Sequence, residues 1–156
     1  MDTNAIAAAV AVNQWHNLKQ NYQIETVRKC VEEALRPNRK GAVLVDLPED
    51  KFTQGVKVHE VDDRLRFVLK SEGVPDLDDG ELDLLAYAKT QRDYWWLCGP
   101  DRAAVRALHV IGKLDRSVSL ERLIQAYMKK GKFSGLEYGQ TEAWLSKFRM
   151  QLEWGD

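Results

Sequence analysis

Short apolar runs alternate with amphipathic helical patterns along this chain, and that alternation limits the possible folds more than any other feature of the sequence. The runs GAVLVDL (41–47) and YWWLC (94–98) are short and nearly continuous, as in strands that are covered on both faces. Helical patterns lie between and after them. Helices that alternate with short buried strands predict an α/β protein, with a three-layer α/β/α sandwich around a mostly parallel sheet.

The other elements are predicted from hydrophobic periodicity and from proline, glycine and capping signals. At 156 residues the chain suits a single domain, 1–156, in which residues 133–156 form a C-terminal helical extension. Short strands are expected at 56–61 and 117–120. Helices are expected at 3–20 (one or two helices), 24–36, 62–71, 80–91, 102–110, 121–131 and 141–154.

Charge and cysteine content limit the partners and the compartment. The 23 basic and 24 acidic side chains nearly cancel, so a polyanion would have to meet a local basic patch. Cys30 and Cys98 lie in apolar segments without metal-ligand spacing, which is typical of reduced cysteines in a cytosolic protein. The apolar run AIAAAVAV is too short to span a bilayer and follows no basic segment. We therefore expect a cytoplasmic protein that does not enter the membrane.

The segment DDGELDLLAYA (78–88) places a carboxylate where apolar side chains are expected. Asp78 is the predicted N-cap, and Glu81 is the N3 residue of a capping box. On a helical wheel Glu81 lies in the middle of the apolar stripe, whereas Asp83 points the opposite way. We expect Asp78 and Asp83 to face solvent. A carboxylate on the packed side is costly unless it is paired or binds a cation, so capping alone and capping with metal ligation both stay open.

A second acid stands where sites form in open parallel sheets. Asp101 follows the predicted strand 94–98 directly and precedes a helix. Ligands of such sheets bind beyond the carboxyl ends of the strands, which is where Asp101 is expected. The alternative role is that of a simple N-cap, and a capping aspartate can also be a ligand.

The order of these motifs resembles the PIN domains, a family of metal-dependent nucleases. DDGELDLLAYA, a strand, GPDRAAVRAL, a further short strand and VSLERLI are together similar to the C-terminal half of that family. Asp2-Thr3-Asn4 is similar to the Asp-x-Asn that ends the family's first strand. The resemblance covers residues 2–128 and is weak over 40–75.

The resemblance implies a Mg²⁺ or Mn²⁺ site with oxygen ligands, which suits those hard ions. Glu32 and Glu33 are equally placed on the wheel, and the family pattern favours Glu33. Two positions depart from the family: Gly99 stands where Thr or Ser is usual, and only Met1 precedes Asp2 where a strand is usual. The implied ligands are Asp2, Glu33, Glu81 and Asp101, with Asn4 orienting the site.

The implied activity is hydrolysis of phosphodiester bonds in single-stranded RNA, as in toxin-type PIN proteins, with an antitoxin or a second copy of the chain as a further partner. Arg102 and Arg106 lie one turn apart beside Asp101 and are expected to contact the RNA. An inactive PIN-like domain that serves in protein or RNA association is the alternative. A receiver-type phosphoacceptor domain fits less well. Other basic residues that could meet phosphate are Arg36, Arg39, Lys40, Lys129, Lys130 and Lys132.

Overall fold

The computed structural model describes residues 1–38, 40–128 and 131–155, and in this part the chain forms nine α-helices and four short strands. Arg39, Lys129 and Lys130 lie outside the described residues. The strands are β1 (Ile24–Val27), β2 (Val56–His59), β3 (Leu97–Cys98) and β4 (Ser117–Val118). The helices are α1 (Thr3–Ala11), α2 (Trp15–Asn21), α3 (Arg28–Leu35), α4 (Glu49–Thr53), α5 (Asp63–Lys70), α6 (Asp79–Thr90), α7 (Arg102–Val110), α8 (Leu120–Tyr127) and α9 (Glu142–Trp154).

The strands form two small parallel sheets. β1 pairs with β2, with Ile24 opposite Val56, and β3 pairs with β4, with Leu97 opposite Ser117. The mixed α/β class predicted from the sequence is therefore confirmed. One continuous sheet between two helical layers is not seen in the described ranges.

Several predicted elements were too long, including 56–61, 117–120 and 121–131, and three differ more strongly from the structure. Residues 24–27 were expected to open a helix, but they form β1, and Val27 is then the N-cap of α3. This segment is rich in β-branched side chains, and pairing with β2 outweighs its helical periodicity. Residues 41–47 form a loop, in which Val45 is buried and its amide donates to the carbonyl of Ala34 at 2.9 Å. Only the last two residues of 94–98 are strand, and Tyr94 and Trp96 are exposed.

Met1 and Asp2 connect the two sheets. The amino group of Met1 donates to the carbonyl of Glu25 in β1 at 2.7 Å, and the amide of Asp2 donates to the carbonyl of Cys98 in β3 at 2.9 Å. The hydroxyl of Thr26 donates to the carbonyl of Met1 at 2.8 Å. These bonds place Met1 and Asp2 between β1 and β3.

Adjacent strand residues contribute to two different apolar clusters. Ile24 and Cys98 belong to a cluster built mainly on α1, α2 and α8, whereas Val27 and Leu97 belong to one built on α5, α6 and α7. This division follows from the alternation of side chains along a strand. Cys30 and Cys98 are buried free thiols, as expected.

The C-terminal segment packs on the rest of the chain through α9. Leu145 and Phe148 of α9 form a small cluster with Val105 of α7 and Leu114. Within 133–155 the helical parts are a 3-10 turn (Tyr138–Gln140) and α9, while Phe133 and Leu136 pack against the first core cluster. None of the described helices combines the length and the apolar character that crossing a membrane requires.

Candidate functional site

Asp2 is buried at the start of α1, between the two sheets. It is the N-cap of α1, and its Oδ2 accepts a hydrogen bond from the amide of Asn4 at 3.1 Å. Burial raises the pKa of Asp2 to about 6 from its ordinary 3.8, although the amide of Asn4 and the Met1 ammonium oppose the shift. Asp2 is therefore a carboxyl group that loses its proton less readily than an exposed aspartate does.

Glu33 reaches the same region from α3. Its Oε2 accepts from the hydroxyl of Thr3 at 3.1 Å, and its Oε1 accepts from the amide of Gly80 at 3.2 Å. Burial raises the pKa of Glu33. Glu32 is exposed and lies 3.7 Å from the ammonium of Lys29. Of the two glutamates that the wheel left open, Glu33 is the one that lies beside Thr3 and the start of α6.

Glu81 lies in the first turn of α6 and is 6 % exposed. The predicted capping box is present, since the amide of Glu81 donates to Asp78 Oδ1 at 2.7 Å and the amide of Asp78 donates to Glu81 Oε2 at 3.3 Å. Burial is the largest cause that raises the pKa of Glu81, to about 8, and the negative charges of Asp101 and Asp78 follow. The charge of Asp2 contributes in the same direction. These effects place Glu81 near three other carboxylates.

Asp101 is the N-cap of α7, as predicted. Its Oδ1 accepts from the amide of Ala103 at 2.5 Å, and its backbone follows β3 after Gly99 and Pro100. Asp101 therefore lies past the carboxyl end of β3, while Asp2 is bonded to the last residue of that strand.

The acids of this region, which we call the acid cluster (Asp2, Glu33, Glu81, Asp101 and the capping Asp78), lack matching cations. In the described part of the chain, none of the first four forms an ion pair with lysine or arginine. The Met1 ammonium is a positive charge that acts on Asp2 and opposes the rise of its pKa. Carboxylates that gather without cations repel one another, and a divalent cation would relieve that repulsion.

The donors of the acid cluster suit Mg²⁺ or Mn²⁺ in kind, because they are all carboxylate oxygens. The present arrangement is not that of a bound metal, however. Within residues 1–38, 40–128 and 131–155 no three His, Cys, Asp or Glu side chains are disposed to hold an ion. Each carboxylate is instead turned to a nearby backbone or hydroxyl donor. Ion binding would require these side chains to leave their present hydrogen bonds.

The other sequence-predicted site residues lie at the edge of the acid cluster. Asn4 is exposed and contacts Asp2 through its backbone amide, while its carbonyl accepts from Gln140 Nε2 at 3.4 Å. Arg102 and Arg106 are exposed on α7, with their guanidinium carbons 5.4 and 5.7 Å from the ring centroid of Phe148. The two arginines therefore share one face of α7, next to Asp101 at its N-terminus.

Two glycines lie directly against acids of the acid cluster. A Cβ at Gly80 would lie 2.6 Å from Glu33 Oε2, and a Cβ at Gly99 would lie 3.0 Å from the Cβ of Asp2. Gly99 thus stands where a hydroxyl residue was expected because Asp2 leaves little room there. Sequence reasoning missed Thr3 and Gly80 as partners of Glu33. The only available signal was their position within the two quoted motifs.

Asp83 was expected to face solvent, and that expectation was wrong. It is 3 % exposed, and its two oxygens accept from Nε and Nη2 of Arg66 at 2.5 and 2.8 Å. Helix α5 covers the side of α6 that the wheel assigned to water. Asp78 is exposed, as expected.

No protein-family model, no curated protein and no solved structure matches this chain. The family resemblance is therefore a hypothesis, and the function has to be argued from the acid cluster itself.

Replacing Glu81 by glutamine is expected to remove a pH-dependent loss of stability. The pKa of Glu81 is about 8 in the folded protein, above its ordinary 4.5, so the folded state holds this proton more tightly than the unfolded chain does. Its contribution to stability is full below about pH 4.5 and is lost as the pH rises through about 8. Glutamine keeps the capping acceptor. The Tm of the metal-free variant should therefore exceed that of the wild type at about pH 8.5 and converge with it near pH 5.

Thermal unfolding followed by circular dichroism across this pH range measures the difference. Burial lowers the pKa of the Met1 ammonium, so this group makes the protein more stable as the pH rises. Because it is present in both proteins, its effect cancels in the Tm difference between variant and wild type. Glu32→Gln is the matched control, because Glu32 is exposed on the helix that carries Glu33. A Tm difference between Glu81→Gln and wild type that is the same at all pH values would contradict the prediction.

Proposed function

We propose that this chain is a nuclease that requires Mg²⁺ or Mn²⁺ and hydrolyses phosphodiester bonds of single-stranded RNA. The observation that carries the proposal is the environment of Glu81. This carboxylate is 6 % exposed, and the charged groups that shift its pKa are other carboxylates. Such an arrangement lowers stability at neutral pH, and clusters of perturbed acids of this kind are typical of functional sites. Asp2, Glu33, Glu81 and Asp101 would hold the ion.

The order of the strands supports a PIN-like fold. Met1–Asp2 lies between β1 and β3, and the first ligand, Asp2, follows from that central position. The two apolar clusters lie against alternating side chains of the same strands, which supports a sandwich with helices on both faces. We propose this finer architecture as the one in which the acid cluster is built.

The residues of the acid cluster would have distinct tasks. When bound, the ion would supply an acidified water and stabilisation of the leaving oxygen. The hydroxyl of Thr3 donates to Glu33 and would orient its carboxylate. The amide of Ala103 donates to Asp101 and would hold the Asp101 carboxylate past the end of β3. Arg102 and Arg106 stand beside Asp101 on α7 and could position phosphates of the RNA.

A cytoplasmic location is also proposed, supported by the two buried free thiols, which are typical of reducing compartments. An antitoxin or a second copy of the chain is proposed as the protein partner, on the resemblance alone.

The second candidate function is that of an inactive PIN-like domain that binds protein or RNA. The observation that favours it is that each acid already has a donor from the protein. Asp2 and Asp101 cap their helices, and Glu33 is held by Thr3 and Gly80. A cluster used only for structure would be satisfied in this way.

Removal of the metal distinguishes the two functions. Purified protein incubated with a labelled single-stranded RNA should cleave it with Mn²⁺ and stop when EDTA is added in excess. Mn²⁺ should also raise the Tm, and by more at about pH 8 than at about pH 5, because the ion competes with protons for the carboxylates. RNA binding should weaken as salt is raised. Cleavage that persists in EDTA would refute the nuclease proposal, and an unchanged Tm with Mn²⁺ would favour the inactive domain.

A further inference from the structure

The C-terminal segment lies directly against the acid cluster through the 3-10 turn Tyr138–Gln140. On one side of the turn, Gln140 Nε2 donates to the carbonyl of Asn4 at 3.4 Å. On the other side, a Cβ at Gly139 would lie 3.7 Å from the Cβ of Pro100. The turn therefore contacts the chain just after the first proposed metal ligand and just before the last one.

Helix α9, which follows this turn, continues the same wall along α7. Its buried Phe148 lies under Arg102 and Arg106, whose guanidinium carbons are 5.4 and 5.7 Å from the ring centroid. Both arginines are exposed, and neither forms an ion pair with an acid in the described part of the chain. The wall therefore offers two cations beside Asp101.

Tyr138 adds an exposed aromatic ring to this wall. Its side chain belongs to a residue that is 59 % exposed, although the turn around it is well held. The carbonyl of Tyr138 accepts from the amide and from the hydroxyl of Thr141, at 3.0 and 2.7 Å. The ring is therefore open to solvent on a fixed backbone, one residue away from the contact with Pro100.

Gln140 shows that the turn is built for more than packing. It is 8 % exposed, and its bond to the carbonyl of Asn4 fixes which end of its amide is the nitrogen, because a carbonyl only accepts. The other end, Oε1, is buried and has no donor among the described residues. An apolar side chain at this position would avoid the cost of an unpaired acceptor. Exceptions of this kind are expected at functional sites.

The groups of this wall match the chemistry of a single RNA strand, in which planar bases alternate with phosphates. Aromatic rings stack on bases of any sequence, and arginines bind the phosphates between them. We propose that Tyr138 stacks on a base of the RNA next to the acid cluster, while Arg102 and Arg106 hold neighbouring phosphates. The inference rests on the proposed function. It adds to the substrate site a residue that lies outside segment 2–128, which carries the family resemblance.

The test measures the Kd of a fluorescently labelled single-stranded RNA in EDTA, so that binding is followed without cleavage. Tyr138→Ala should raise the Kd at least about fivefold, because the stacked base is lost, whereas Tyr138→Phe keeps the ring and should leave the Kd unchanged. The dependence of affinity on salt should become shallower in Arg102→Ala and not in Tyr138→Ala, because only Arg102 contacts phosphate. Trp154→Ala is the matched control, since Trp154 is an 85 % exposed aromatic residue at the far end of α9.

Inorganic polyphosphate, which has no bases, separates stacking from charge. Its Kd should be the same for wild type and Tyr138→Ala, and a loss as large as that for RNA would overturn the proposal, because the variant would then disturb the whole wall. An unchanged Kd for RNA in Tyr138→Ala, an equal loss in Trp154→Ala, or no RNA binding by the wild type would overturn it as well. Binding in EDTA does not depend on cleavage. RNA binding that is weakened in Tyr138→Ala, by a protein that cleaves no RNA, would therefore support this inference and refute only the nuclease activity.

Discussion

Replacing Asp101 by asparagine should reduce Mn²⁺-dependent cleavage of single-stranded RNA by at least about a hundredfold. Loss of an outer-shell partner of a metal ligand already costs about 10- to 100-fold, and Asp101 is proposed as a direct ligand. Asparagine retains the shape and the capping oxygen that now accepts from the amide of Ala103. The substitution therefore removes the negative charge while it preserves the start of α7. The measurement is the initial rate of RNA cleavage, with the Mn²⁺-induced rise in Tm as a second readout.

The control for this substitution is Asp62→Asn. Asp62 is the exposed N-cap of α5, and its carboxylate accepts from the amide of Leu65 at 2.9 Å. Asp62→Asn therefore makes the same chemical change at the same kind of capping position as Asp101→Asn, but outside the acid cluster. Its cleavage rate and its response to Mn²⁺ should equal those of the wild type. Equal rates for Asp101→Asn and wild type would show that Asp101 only caps, and an equal loss in both variants would attribute the effect to helix capping.

Replacing Asp83 by alanine should lower the free energy of unfolding by about 3 kcal/mol. Asp83 is almost fully buried on α6, and both of its oxygens are bonded to the guanidinium of Arg66 on α5. Removing the carboxylate leaves a guanidinium without its main partner at the contact between two helices. We expect a value at the lower end of the range for broken buried pairs, because the Arg66 side chain is 27 % exposed and can still reach water.

Urea unfolding measures this loss, and Asp63→Ala is its control. Asp63 also bonds to Arg66, at 2.7 Å, but its side chain is 98 % exposed, so its removal should change the free energy by less than about 0.5 kcal/mol. A similar small change for Asp83→Ala would show that the pair adds nothing to the contact between α5 and α6.

Most helices could be predicted from the sequence because their signals are local. The caps Asp78 and Asp101 were identified from side-chain type and spacing, and the structure confirms both. Such hydrogen bonds join residues that are two or three positions apart, so a short stretch of sequence is enough to predict where a helix begins.

The strands were predicted less well because their partners are distant in the sequence. Nothing local distinguishes β1 from the helical pattern that continues through α3, since the choice depends on pairing with β2 more than 30 residues later. The wheel analysis of α6 had the same limit. It assumed one solvent face, and the structure covers nearly the whole helix, Asp83 included.

The acids of the candidate site were selected from the sequence with help from the family resemblance, and the structure brings Glu81 near Asp2 and Asp101. The choice of Glu33 over Glu32 could not come from the wheel, because it depends on Thr3 and on the amide of Gly80. Those contacts exist only after α1, α3 and α6 have packed together.

The bonds from Met1 to β1 and from Asp2 to β3 also have a kinetic consequence. A two-stranded sheet is marginal by itself, and here each sheet pairs segments 20 or more residues apart, while Asp2 contacts a residue 96 positions along the chain. Closing such long loops precedes any gain from the contacts, so folding should be slow compared with that of a helical bundle of this length. The carboxylates of the acid cluster come from segments that are far apart in the chain, so they meet only after these long-range contacts have formed.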